Sequence, residues 1–169
     1  MKVFCFMRLI LCGILCLVIT SCSSEENDES NNGSGEFIMA SVETLSFESS
    51  DVADGVTASK IESTNSTTYL VQGFDDAGNA IVLTIADFDG VGTYNFTANS
   101  GDNDASGLFL SQSAAWSSFG GTGGSGTIDV LTDTENKTTG TFEFVGVQAD
   151  MVSSIRAITN GRYSANYDK

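Results

Sequence analysis

The chain has 169 residues, with no histidine and no proline, and carries 22 acidic side chains against seven basic ones, a net charge of −15. So acidic a surface repels nucleic acid and anionic lipid headgroups, which are held by clustered Lys and Arg. The lack of histidine excludes Ser-His and Cys-His nucleophilic pairs and any histidine-bearing zinc site.

Residues 1–21 read as an export signal. Lys2 and Arg8 give a positive start, Leu9 to Ile19 form an uncharged apolar core of 11 residues, and Thr20 and Ser21 lead into Cys22. Eleven residues are too few to span a bilayer, which needs about 20. Extending the run back to Val3 would bury Arg8 at a cost of roughly 2.5–3.5 kcal/mol near the helix centre. A cleaved signal is therefore preferred over a retained helix. The stretch Ile19-Thr20-Ser21-Cys22 resembles the lipobox of bacterial lipoproteins. That resemblance implies diacylglyceryl transfer to the Cys22 thiol, cleavage just before it and acylation of the new amine. Two or more acyl chains hold a protein durably where one does not. The alternative is an ordinary secretory signal that ends in cysteine. Cys5, Cys12 and Cys16 all lie in the segment that would be discarded, so the processed chain would have no free thiol and no disulfide.

Residues 22–35 hold the lipidated cysteine and an acidic tether, "SSEENDESNNGSG", without an apolar side chain. Such a segment cannot offset its ordering entropy and is expected to be disordered. As a flexible coil it spans about 20 Å. Acidic residues directly after the cysteine also resemble the surface-export signal of Bacteroidetes lipoproteins. The implied location is the bacterial outer membrane, facing the surface; a plain solvated linker on a periplasmic protein is the competing account.

From residue 36 to 169 a single all-β domain is expected. "GTYNFTA" places Tyr94, Phe96 and Ala98 on one face, and "GTFEFVG" does the same with Phe142 and Phe144. "AIVLTIADF" is apolar nearly throughout, as a central strand covered on both faces would be. Turn clusters fall between these runs at 75–79, 89–92, 100–104 and 132–137, rich in Gly, Asn and Asp. The spacing predicts an antiparallel β-sandwich or a small open barrel. Its clearest unit is a hairpin, Thr127–Leu131 with Thr139–Val145, placing Ile128 and Val130 on a core face with Phe142 and Phe144.

The motifs "VGTYNF" (91–96), "SGTIDVLTDTENKTTGTFEFVG" (125–146) and "ITNGRYSA" (158–165) combine turn glycines with core aromatics. In these the chain resembles small Bacteroidetes lipoproteins of uncharacterised function with an all-β domain, over residues 80 to 167. The resemblance implies architecture and location, and brings no catalytic residues.

Few motifs point to chemistry. Gly121 to Gly126 spells G-x-G-x-x-G, but it precedes the strand "TIDVL", with no helix to receive a pyrophosphate. Asp102, Asp104 and Ser106 followed by Gly107 match the first half of a calcium loop, yet position 12 is Ser113 where a glutamate is needed. An Asx-rich turn is the preferred reading and a weak calcium site the alternative; no cofactor is otherwise implied. The carboxylates fall in turns and on polar strand faces, where charge serves solubility, although a two-carboxylate glycosidase has the residue types it needs. The remaining candidate is "SAAWSSFGGTGGSG", 113–126, with Trp116 and Phe119 beside a glycine-rich loop. Aromatic rings at a loop edge bind sugar faces or peptides. Against this stands Trp116, the sole tryptophan, as a core residue, which is the preferred reading. The expected function is a non-catalytic, lipid-anchored envelope protein with a structural or accessory role. The alternative is a glycan- or peptide-binding module using the Trp116 loop.

Overall fold

The computed structural model describes residues 35–50, 55–98, 105–119, 122–148 and 151–168. The expected signal, Cys22 and the tether lie outside them. All the elements described are strands: β1 (Phe37–Val42), β2 (Leu45–Ser50), β3 (Val56–Glu62), β4 (Thr67–Phe74), β5 (Ala80–Ile85) and β6 (Gly92–Thr97). They continue as β7 (Ala105–Ser111), β8 (Ala114–Ser117), β9 (Ser125–Asp133), β10 (Lys137–Gln148) and β11 (Met151–Asn166). The described residues are all-β, as the period-two patterning predicts.

One antiparallel sheet contains every strand. Its main path runs β2-β1-β11-β10-β8-β7-β5-β4-β3, and β9 and β6 branch from β10. The branch arises because one edge of β10 is shared: Thr138–Val145 pairs with β9, whereas Val147 and Gln148 pair with β8. The sheet curls until it nearly closes. Ala58 of β3 bridges to Tyr167 just beyond β11, and the Asp168 amide donates to the Ala58 carbonyl at 3.0 Å. The result is a small, almost closed barrel, the second of the two expected architectures.

Side chains fill the interior. In β1 and β10 burial alternates along the strand, as a pleat with one face inward requires. The hairpin expected around Ile128 is present and longer than the sequence suggested, with Phe142 opposite Ile128 and Gly140 opposite Val130. The strand expected to be covered on both faces is covered on one. In β5, Ile81, Leu83 and Ile85 are fully buried, while Val82 and Thr84 point outward and are only half-buried.

Several glycines that read as turn residues lie within strands instead, each opposite an aromatic. Phe142 pairs with Gly161, Tyr163 with Gly140, and both Phe96 and Phe144 with Gly126. A methyl group on Gly126 would sit 2.5 Å from Phe96 Cζ and from Phe144 Cβ. Large rings fit a tightly curved sheet where the opposite strand has no side chain.

The seam between β3 and the end of β11 is held by a mixed cluster. Lys60 Nζ lies 2.7 Å from Asp133 Oδ1, 4.5 Å from the Tyr167 ring centre and 5.3 Å from that of Phe88. The Tyr167 hydroxyl donates to Asp133 Oδ1 at 2.6 Å. Beneath, Phe88 stacks on Tyr69 at 4.6 Å. The buried Tyr69 hydroxyl is 3.0 Å from that of Tyr163 and 2.8 Å from Thr138 Oγ1. This polar knot in an apolar core is satisfied by its own members and by the Thr132 carbonyl, which accepts from Thr138 Oγ1 at 3.2 Å.

Candidate functional site

Because β6, β9, β10, β11, β1 and β2 lie side by side, their outward residues form continuous rows across the sheet. One row reads Thr93, Asp129, Thr141, Arg162, Met39, Glu48. Beside it run Asn95, Thr127 and Glu143 on β6, β9 and β10, and Ser41 with Ser46 on β1 and β2. A bulge in β11 shapes this surface. Register slips between Phe142 and Phe144 on one side and between Met39 and Ser41 on the other, leaving Asn160 as the extra residue at φ 53°. Asn is one of the few residues that tolerate the left-handed region. A bulge sharpens the local twist and bends its strand. Here the bulge lies at the middle of an open groove of about 800 Å³, lined among others by Met39, Glu48, Asp129, Glu143, Asn160 and Arg162.

The groove offers hydrogen-bond partners of every kind. Thr93 Oγ1 donates to Asp129 Oδ1 at 2.6 Å, and Thr127 Oγ1 to Asn95 Oδ1 at 3.0 Å, so both side chains are held in place. Arg162 Nη2 lies 3.7 Å from Met39 Sδ, and its guanidinium carbon is 5.9 Å from the Phe37 ring centre. The ion pairs among the described residues are Lys60–Asp133 and Arg156–Glu43, and neither involves Arg162. Its planar fork of donors is therefore open to a ligand. Asp129 and Glu143 are diagonal neighbours on adjacent strands, a relation that puts side chains roughly 7–8 Å apart. Glu143 is exposed and Asp129 half-exposed, so neither has the enclosed, water-poor setting that turns a carboxyl into a general acid. Among the described residues no three His, Cys, Asp or Glu side chains are grouped to hold a metal.

The residues singled out from the sequence are placed elsewhere. Trp116 is 5% exposed, with the Phe109 ring centre 5.7 Å away and the Arg156 guanidinium 4.4 Å from its own. Its Nε1 donates to Ser154 Oγ at 3.1 Å. Phe119 is 52% exposed, in the turn that follows β8. The two rings therefore form no joint platform, because the inward face of β8 takes the tryptophan into the core. Trp116→Ala is expected to destabilise the protein by about 3–5 kcal/mol, as deletion of a buried aromatic does. Denaturant melts give the loss, and the wild-type emission should be blue-shifted and slow to quench with acrylamide. Asp102 and Asp104 lie outside the described residues. Ser106 and Gly107 belong to β7, not to a loop, and Gly107 sits under Phe144 with its amide on Ser118 Oγ. A calcium loop needs a sharp turn at that glycine, and an extended strand occupies it instead.

Nothing in the local pattern marks Arg162, Glu48 and Asp129 as neighbours. Glu143 and its polar strand face are visible in "GTFEFVG", where the alternation alone suits a solvated surface. Comparison with protein-family models, with curated proteins and with solved structures finds no match to this chain.

Proposed function

We propose that this chain is an exported, lipid-anchored envelope protein that acts by binding, and that the groove over the β11 bulge receives a neutral, polyhydroxylated ligand such as a glycan strand. The anchoring half of this reading rests on Ile19 to Cys22 and the acidic tether that follows. The binding half rests on one observation, the outward row from Thr93 to Glu48, in which Met39 is the one side chain that is neither charged nor a hydroxyl. Six strands at about 4.8 Å spacing give that row a length near 24 Å, which suits an extended oligomer better than a single small molecule. Three carboxylates against one guanidinium leave the groove negative, which disfavours polyanions. Hydroxyl groups satisfy both the carboxylates and the Arg162 fork without adding charge. A wide, open groove with its polar groups already ordered costs little to occupy.

The test uses the processed protein against arrayed neutral and acidic oligosaccharides. Binding to neutral glycans should fall at least tenfold in Arg162→Ala and in Asp129→Ala. Stability should stay within about 1 kcal/mol, as for most surface substitutions. Unchanged binding in both variants, or binding to acidic glycans alone, defeats the groove reading. In cells, a fatty-acid probe should label the wild type and not Cys22→Ala; equal labelling of the two defeats the anchor.

A further inference from the structure

The other side of the barrel has the opposite character. Strand registers place Phe74, Leu110 and Ala115 in one outward row, with the buried Ala80 between Phe74 and Leu110, and Gln72, Val82, Leu108 and Ser117 in the next. A third row is Leu70, Thr84 and Ser106. No outward position of β3, β4, β5, β7 or β8 is charged, although the chain carries 22 acidic residues. Leu70, Val82, Leu108 and Leu110 take no part in the interior core and stand half-buried on the outer face. Phe74 and Ile61 on this face are 49% and 59% exposed. Charge begins at the borders, with Lys60 and Glu62 exposed at the end of β3 and Asp76 and Asp87 exposed in the turns.

We infer that this charge-free sheet face is the interface between two copies of the chain. Three observations select a second copy. A net charge of −15 makes copies repel wherever carboxylates meet, so this face is where they can approach without burying an unpaired charge. A charge-free sheet face can complement itself about a two-fold axis, each copy presenting the same rows to the other. Five strands, averaging about 20 Å in length and lying about 4.8 Å apart, make a face of roughly 500 Å² in plan. The relief of its side chains brings the accessible area towards the ~800 Å² per partner of a standard interface. An apolar core with a charged border is also how such interfaces are built. A lipid surface fits less well, because the face has no Lys or Arg to engage headgroups and the rest of the molecule repels anionic ones.

Val82 lies mid-strand in β5, near where a two-fold axis would pass. The processed protein carrying Val82→Cys, treated with a short bismaleimide, should give a species of twice the monomer mass. Thr141→Cys on the groove side and the unsubstituted protein should not. Adding Leu108→Glu to Val82→Cys should remove the cross-linked species while the circular dichroism spectrum stays that of the wild type. Sedimentation of the wild type should show a concentration-dependent dimer, a readout that needs no variant to fold. A wild type that stays monomeric at high concentration overturns the inference. So does cross-linking that persists in the Leu108→Glu variant, or capture of a different protein or of lipid in place of a copy.

Discussion

Phe144→Ala is expected to remove about 3–5 kcal/mol of stability, the usual cost of deleting a buried aromatic. That is a large part of the 5–15 kcal/mol that holds a typical domain together. Phe144 is 3% exposed, its ring centre lies 6.4 Å from that of Phe142, and it fills the space above two strand glycines. A methyl group at Gly107 would stand 2.5 Å from Phe144 Cδ1, closer than real side chains approach. Gly107→Ala alone should therefore cost about 1–3 kcal/mol by overpacking. In the Phe144→Ala background the same change should cost almost nothing, because the methyl enters the space the ring has left. Urea denaturation of the four proteins measures the coupling. Strict additivity would show that Gly107 is glycine for some reason other than the ring above it.

The second large effect is alkaline unfolding. Burial, above all, pushes the Tyr163 phenol up to about 12, and burial together with the nearby Tyr163 hydroxyl raises that of Tyr69 beyond the usual tyrosine range. An unfolded tyrosine loses its proton near pH 10. Above that pH the unfolded state binds fewer protons than the folded one, so stability falls as pH rises. The contribution is complete below pH 10 and is lost on the way to 12, at about 1.4 kcal/mol per pH unit for each such tyrosine. Two of them weaken the fold by several kcal/mol across that window. Phenolate absorbance and circular dichroism should thus change together in one cooperative step. If every tyrosine ionised near pH 10 with the dichroism unchanged, the knot at Tyr69, Tyr163 and Thr138 would be open to solvent.

What the sequence reveals of this fold is what repeats locally. Alternation in "GTFEFVG" and "TIDVL" exposes strands, and the cluster at 132–137 exposes the turn between them, because adjacent residues decide both. The strand glycines are misread for the same reason. Gly126 looks like part of a flexible loop until β6 and β10 are known to bring Phe96 and Phe144 over it. Trp116 is ambiguous in the chain, since an aromatic beside glycines suits a platform and a core equally; the pairing with Phe109 on β7 decides it. The groove is the least legible feature. Glu48 and Asp129 share a row only through β1, β11 and β10, and the bulge that shapes it is a register slip set by both neighbours of β11. No window of sequence contains that information.

The pairing of β1 with β11 also governs time. The Gly35 carbonyl accepts from Ser164 Oγ, a residue 129 positions later, and Phe37 stands opposite Ser164 in the ladder. A chain synthesised at about 5–20 residues per second needs on the order of 10 s to deliver the partner of its own first strand. Closing so long a loop before any contact rewards it makes folding slow. Until β11 arrives, β1 has β2 on one side and a row of unsatisfied amides and carbonyls on the other. A polypeptide in that condition carries an open edge at its first strand, and it is then at its most prone to pair with a neighbour's strand.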